Sequence, residues 1–193
     1  MRISRAERSV FGDWWYSLDT ALLVALLALM AAGFAASLAA SPAVALRLHL
    51  DQFHFVERHA MLLVPAFLLF IGASLVPVER MPGVGAVMLA FSLLLLALTP
   101  LVGDYAKGAR RWIDIAGFSL QASEFLKPAL VLSCAYLFAE TRESGDNRPL
   151  FLAIGLWFLS VVLLVVQPDY GQTVLLTLIW GTMFFIAGMP WLW

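Results

Sequence analysis

Leu150-Phe-Leu-Ala-Ile-Gly-Leu-Trp-Phe-Leu-Ser-Val-Val-Leu-Leu-Val-Val166 holds no charged residue and has the length, roughly 17 to 25 residues, that an α-helix needs to cross a hydrocarbon core of about 30 Å. On its carboxyl side Gln167-Pro-Asp169 leaves room only for a tight turn before a second run, Tyr170 to Ala187, so the two read as a helical hairpin. Toward the amino end four more apolar runs recur, Leu18 to Ala40, Ala60 to Val76, Val84 to Leu101 and Phe125 to Ala139. Hydrophobic residues make up 62% of the chain and charged residues 13%, against about 45–50% and 25% in soluble domains. These features exclude a soluble protein. They predict an all-α, polytopic membrane bundle with six crossings, in a single domain spanning 1–193, with helices near 18–40, 60–76, 84–101, 124–140, 150–166 and 170–188. An amino-terminal segment, 1–17, precedes them, and Pro190-Trp-Leu-Trp193 reads as the opening of a seventh helix.

Arg2, Arg5 and Arg8 ahead of the first run resemble a secretory leader, but the run exceeds the 7 to 15 residues of a leader core and more spans follow, so it reads as the first crossing. With the amino terminus inside, the inner segments hold Arg2, Arg5, Arg8, Arg80, Arg142 and Arg148, and the outer ones Arg47, Arg58, Lys107, Arg110 and Arg111. The margin is narrow. The basic amino-terminal cluster, with Trp14, Trp15 and Tyr16 as interfacial anchors, favours this orientation. Three of the outer cations then lie in one loop, where the topological rule disfavours them and an anionic ligand would explain them.

Between the runs, Pro77 to Gly83 reads as a tight inner turn, Gly83-Val-Gly85 as a helix-start bend, and Glu140 to Pro149 as a solvated inner loop. Ser41 to His59, with alternating leucines and then Phe53 and Phe55, is expected along the membrane interface. Cys134 is alone in an apolar helix and reads as a packed thiol. His49, His54 and His59 recur every five residues, which does not stack them on one helix face as metal ligands, so they read as interfacial polar residues.

The chemistry concentrates between residues 104 and 127. Lys107-Gly-Ala-Arg-Arg-Trp-Ile113 is a cationic, glycine-containing loop in which Lys107, Arg110 and Arg111 can meet phosphate oxygens. Trp112 is open to two readings, a sugar-stacking platform or an interfacial anchor. Glu124 and Lys127 share a helix face. They form either an ion pair that only fixes packing or the lining of a polar cavity that receives part of a ligand. Ser123 is a candidate helix cap. Asp169 reads as an N-cap of the following helix or as a cavity residue.

Gly108-Ala-Arg-Arg-Trp-Ile113, Gln121-x-Ser-Glu-Phe-x-Lys127 and Gln167-Pro-Asp-Tyr-Gly-Gln-Thr173, in that order, resemble the signature of the SEDS family, the bacterial shape, elongation, division and sporulation proteins. The division branch, typified by FtsW, is matched better than the elongation branch, typified by RodA. Arg111 and Trp112 match the loop signature, Glu124 and Lys127 the fourth-helix pair, and Gln167, Asp169 and Gly171 the outer hairpin. Ala122 stands where proline is common, and Arg110 fills a variable slot.

The resemblance implies a peptidoglycan glycosyltransferase that polymerises lipid II into glycan strands at the outer face of the bacterial cytoplasmic membrane, at the division septum. It implies a class B penicillin-binding protein as transpeptidase partner, alongside other division proteins and membrane lipid, and no nucleic acid. Substrate-binding residues would be Lys107, Arg110, Arg111, Trp112, Glu124, Lys127 and Asp169. No cofactor is expected, with room for a divalent cation beside the pyrophosphate. Family members have about ten transmembrane helices and place their proposed catalytic aspartate after the seventh. The chain is therefore expected to be a fragment without that base and inactive alone. The rival readings are a lipid II flippase and a non-enzymatic division scaffold.

Overall fold

The computed structural model describes residues 14, 16, 18–106, 108–115 and 117–189. The chain divides into two compact units, residues 1–77 and 78–193.

The first unit is a helical hairpin of α1 (Thr20–Arg47) and α2 (His54–Ser74). Asp19 starts α1 by accepting the Ala21 and Leu22 amides at 2.9 and 3.1 Å, satisfying two donors that the first turn would leave orphaned. Helix α1 continues through Pro42 to Arg47 and α2 begins at His54, so the stretch 41–59, expected along the membrane interface, is mostly helix with a connector of Leu48–Phe53. Proline's fixed φ is compatible with the helix and costs it one amide donor, and the apolar sequence runs on through Leu46. The Ser41 hydroxyl instead donates to the Gln52 carbonyl at 2.8 Å, pinning the connector back. His59 sits inside α2 with its ring edge-on to Phe34 of α1, and the Trp14 indole donates to Ser74 Oγ at 2.9 Å.

The second unit opens with a 3-10 turn, Val78–Arg80, and α3 (Met81–Val102), with Pro82 in the first turn where no donor is lost. Gly85 lies within α3 and makes no bend. It is buried where α3 crosses α4 (Ala122–Ser144), and a Cβ there would stand 2.8 Å from Leu132 Cβ. A small residue at that point lets the two backbones approach, the usual solution between membrane helices. Two helices follow, α5 (Arg148–Val166) and α6 (Tyr170–Ile186), joined by Gln167-Pro-Asp169. Helix α4 runs on to Ser144, where Gly145 adopts the left-handed conformation (φ 69°) that ends it, so the expected inner loop reduces to Gly145–Asn147.

The core forms around α4. Leu126, Ala129, Leu130, Cys134 and Phe138 meet Leu89 and Leu96 of α3, Leu150, Ala153 and Leu164 of α5 and Leu176 of α6. Of the spans, α4 is the least apolar and the most buried. Lipid demands an apolar surface only from helices that face it, and α4 faces protein. Five of the six described helices are long and apolar enough to cross a membrane. The sixth, α6, is about 26 Å long at 1.5 Å per residue, short of a full hydrocarbon core.

The segment between α3 and α4, read from sequence as a loop, is a three-stranded antiparallel meander of β1 (Asp104–Ala106), β2 (Ala109–Ile115) and β3 (Phe118–Gln121). Ala106 pairs with Ala109 and Ile115 with Phe118, so each hairpin closes through two residues, the second a glycine, with Gly108 at φ 86° and Gly117 at φ 82°. Asp114 caps the second turn by accepting the Gly117 amide at 2.8 Å. The meander is held close to α3 at Gly103, where a Cβ would lie 2.5 Å from the Thr99 carbonyl oxygen and 3.0 Å from that of Trp112.

Candidate functional site

Strand β2 decides which of its cations face the helices. Successive strand side chains point to opposite faces, and along β2 Ala109, Arg111 and Ile113 are the more buried set, while Arg110, Trp112 and Asp114 are exposed. The contiguous Arg110-Arg111-Trp112 therefore does not act as one cluster. Arg110 Nη1 donates to the Pro100 carbonyl at 3.1 Å, Trp112 is 41% exposed, and Lys107 lies outside the described residues.

Arg111 reaches the α5–α6 turn. Its Nη2 donates to the Pro168 carbonyl at 2.6 Å, and Nη1 lies 3.9 Å from Asp169 Oδ1. Gln121, the last residue of β3, donates through Nε2 to Asp169 Oδ2 at 3.1 Å. The Asp169 side chain is only 8% exposed, a position in which a carboxylate is expensive unless paired and hydrogen-bonded. Asp169 occupies the N-cap position of α6, yet its side chain makes no capping bond. Of the two sequence readings, the structure places this carboxylate toward the meander. Gln167, just ahead, donates to the Leu96 carbonyl and so fastens the turn to α3.

The second centre lies on the first two turns of α4 and the first turn of α6. Lys127 Nζ donates to Glu124 Oε1 at 2.8 Å, and Gln172 Nε2 donates to the same oxygen at 3.2 Å. Lys127 is 20% exposed and Glu124 52%. Ser123 does not cap α4. Gln121 holds the N-cap position without a side-chain capping bond, and Ser123 Oγ is buried with no hydrogen-bond partner among the described residues. Arg111 Nε and Gln172 Oε1 are likewise buried without a partner among the described residues.

Each carboxylate is thus engaged by a cation and an amide donor, an arrangement suited to aiming positive groups rather than to accepting a substrate proton. Arg111 and Lys127 are the cations it presents, one a planar fork and the other a point charge. Sequence reasoning assigned no role to Gln121 or Gln172. The available signal was an amide beside each carboxylate at a helix mouth, where only tertiary packing shows which carboxylate each one meets.

The sequence pattern of the FtsW, RodA and SpoVE family, described as cell cycle protein, matches residues 19–193. A probable peptidoglycan glycosyltransferase FtsW of Caulobacter vibrioides is 37% identical over 191 residues, covering 98% of this chain and 49% of that protein. The FtsW of Escherichia coli O157:H7 is 36% identical over 150 residues, covering 77% of this chain and 36% of its own length. Among solved structures, a peptidoglycan synthase complex that coordinates polymerization and crosslinking superposes with a TM-score of 0.74 at 28% identity, over 92% of this chain and 50% of that one. The rod shape determining protein RodA of Thermus thermophilus does so with a TM-score of 0.70 at 27% identity, over 92% and 56%. The chain spans about half the length of the curated relatives it matches.

Proposed function

Because the chain belongs to the FtsW, RodA and SpoVE family of cell cycle proteins and is a multi-pass inner-membrane protein, we propose that it serves a peptidoglycan glycosyltransferase by holding lipid II during glycan polymerisation in cell division. The observation that carries this reading is the convergence of Arg111 and Lys127, each backed by a carboxylate and an amide, at one set of helix ends.

Lipid II carries a pyrophosphate between its sugar and its polyprenyl tail. When the bond from the anomeric carbon to that pyrophosphate breaks, negative charge builds on the phosphate oxygens. Cations aimed there before the reaction stabilise that charge without reorganising, an effect worth roughly 3 to 4 kcal/mol for a well-placed donor. Arg111 offers a bidentate fork. Asp169 and Gln121 keep that fork directed, and Glu124 does the same for Lys127. The proton of the attacking sugar hydroxyl is assigned to no residue of this chain, and a divalent cation beside the pyrophosphate is compatible with the reading. With the amino terminus in the cytoplasm, the meander and both centres face outward, where a class B penicillin-binding protein would crosslink the product at the septum.

The experiment is a titration of the chain in nanodiscs with undecaprenyl pyrophosphate. Arg111→Ala and Lys127→Ala should each weaken binding at least about tenfold, that is about 1.4 kcal/mol. Unchanged binding in both would refute the assignment.

A further inference from the structure

Lys127 steadies Glu124 only from within its own helix. The two side chains are long and lie one turn apart, so the pair can swing together and the carboxylate has no fixed direction relative to the other helices. Gln172 supplies that direction. It stands on the first turn of α6, 48 residues away, and its Nε2 reaches the oxygen that Lys127 already holds, at 3.2 Å against 2.8 Å.

Its own base is firm. Asp169 N donates to the Leu164 carbonyl, Thr173 bonds back to the Asp169 carbonyl through both its amide and its hydroxyl, and Leu176, one turn beyond Gln172, is buried in the core. The amide keeps this orientation although it leaves Gln172 Oε1 buried without a partner. A stranded buried acceptor disfavours that arrangement unless something else holds it, and the bond to Glu124 does so.

We propose that Gln172 is a positioning residue. It sets the direction of the Glu124 carboxylate, and through it that of the Lys127 ammonium, so that the remaining Lys127 hydrogens meet the substrate's phosphate oxygens. This rests on the reading of the site as a holder of lipid pyrophosphate.

The test is a double-mutant cycle on undecaprenyl pyrophosphate binding by the chain in nanodiscs, with helix content followed by circular dichroism. Gln172→Ala should weaken binding about three- to fivefold in the native background and less than about 1.5-fold on top of Glu124→Ala. Gln172→Glu keeps the shape but sets a second carboxylate against Glu124, and should bind more weakly than Gln172→Ala. Gln172→Met fills the space without a donor and stands in for alanine should the smaller side chain loosen α6. Equal losses in both backgrounds, or native binding by Gln172→Glu, would make Gln172 a packing residue and overturn the proposal. Native binding by Glu124→Ala and Lys127→Ala would sink the site reading itself, and the positioning role with it.

Discussion

The two polar centres use the same parts, a cation, a carboxylate and a glutamine, and assemble them differently. Around Asp169 the parts come from β2, β3 and the α5–α6 turn, and the carboxylate is 8% exposed. Around Glu124 the cation comes from the same helix, one turn on, and the carboxylate is 52% exposed. Burial decides what each is for. The desolvated centre cannot lose a member without stranding another, so it is part of the fold as well as of the site. The wet centre loses little stability when broken, because an exposed ion pair is worth about 0 to 1 kcal/mol. Its value lies in where it points.

The largest effect is expected at Asp169. Asp169→Ala leaves Gln121 without its acceptor and Arg111 without its carboxylate, and should destabilise the second unit by about 2 kcal/mol while abolishing undecaprenyl pyrophosphate binding. Thermal unfolding in detergent, followed by tryptophan fluorescence, reads the first and the nanodisc titration the second. A variant as stable as the parent would erase the contrast between the centres. Lys127→Ala should separate the two readouts, weakening binding about tenfold with a stability change within about 0.5 kcal/mol. A larger loss of stability would show that the pair is structural.

Salt sharpens the comparison further. Between 0.1 and 1 M salt the Debye length falls from about 10 to 3 Å, so the coupling of Glu124 with Lys127 in an unfolding double-mutant cycle should shrink, while that of Arg111 with Asp169 should hold. Parallel decline of both would mean that Asp169 is wetter than its burial implies. The smallest effect is expected at Arg110, whose guanidinium is exposed and donates to the Pro100 carbonyl. Arg110→Ala should stay within about 0.5 kcal/mol in stability and lose less affinity than Arg111→Ala in the same titration.

The helical part of the fold was legible in the sequence because lipid imposes a length and an apolar character on whatever crosses it. The meander was not. In Arg110-Arg-Trp-Ile-Asp-Ile115 the strand period hides under charge, and the glycines at Lys107-Gly108 and Ala116-Gly117 suit a loop as well as a two-residue hairpin. Arg111, Glu124, Lys127 and Asp169 stood out as charges at membrane faces. Arg110 stood out equally and faces away, a distinction that only strand alternation makes. Gln121 and Gln172 stayed silent because neutral amides acquire meaning only from the groups they touch, here 48 residues distant in each case. The extensions of α1 past Pro42 and of α4 to Ser144 were hidden by residues, a proline and a charged run, that a helix tolerates once its neighbours hold it.

Helix α4 is the span least suited to lipid and the one that α3, α5 and α6 pack around. During synthesis it reaches the bilayer after α3 and before α5 and α6, while two of its three helical partners in the core do not yet exist. Its entry is then favoured by its packing on α3, which is close at Gly85, where a Cβ would stand 2.8 Å from Leu132 Cβ. A bulky residue there would be felt first as a misrouted helix at the translocation channel, before there was any folded protein to destabilise.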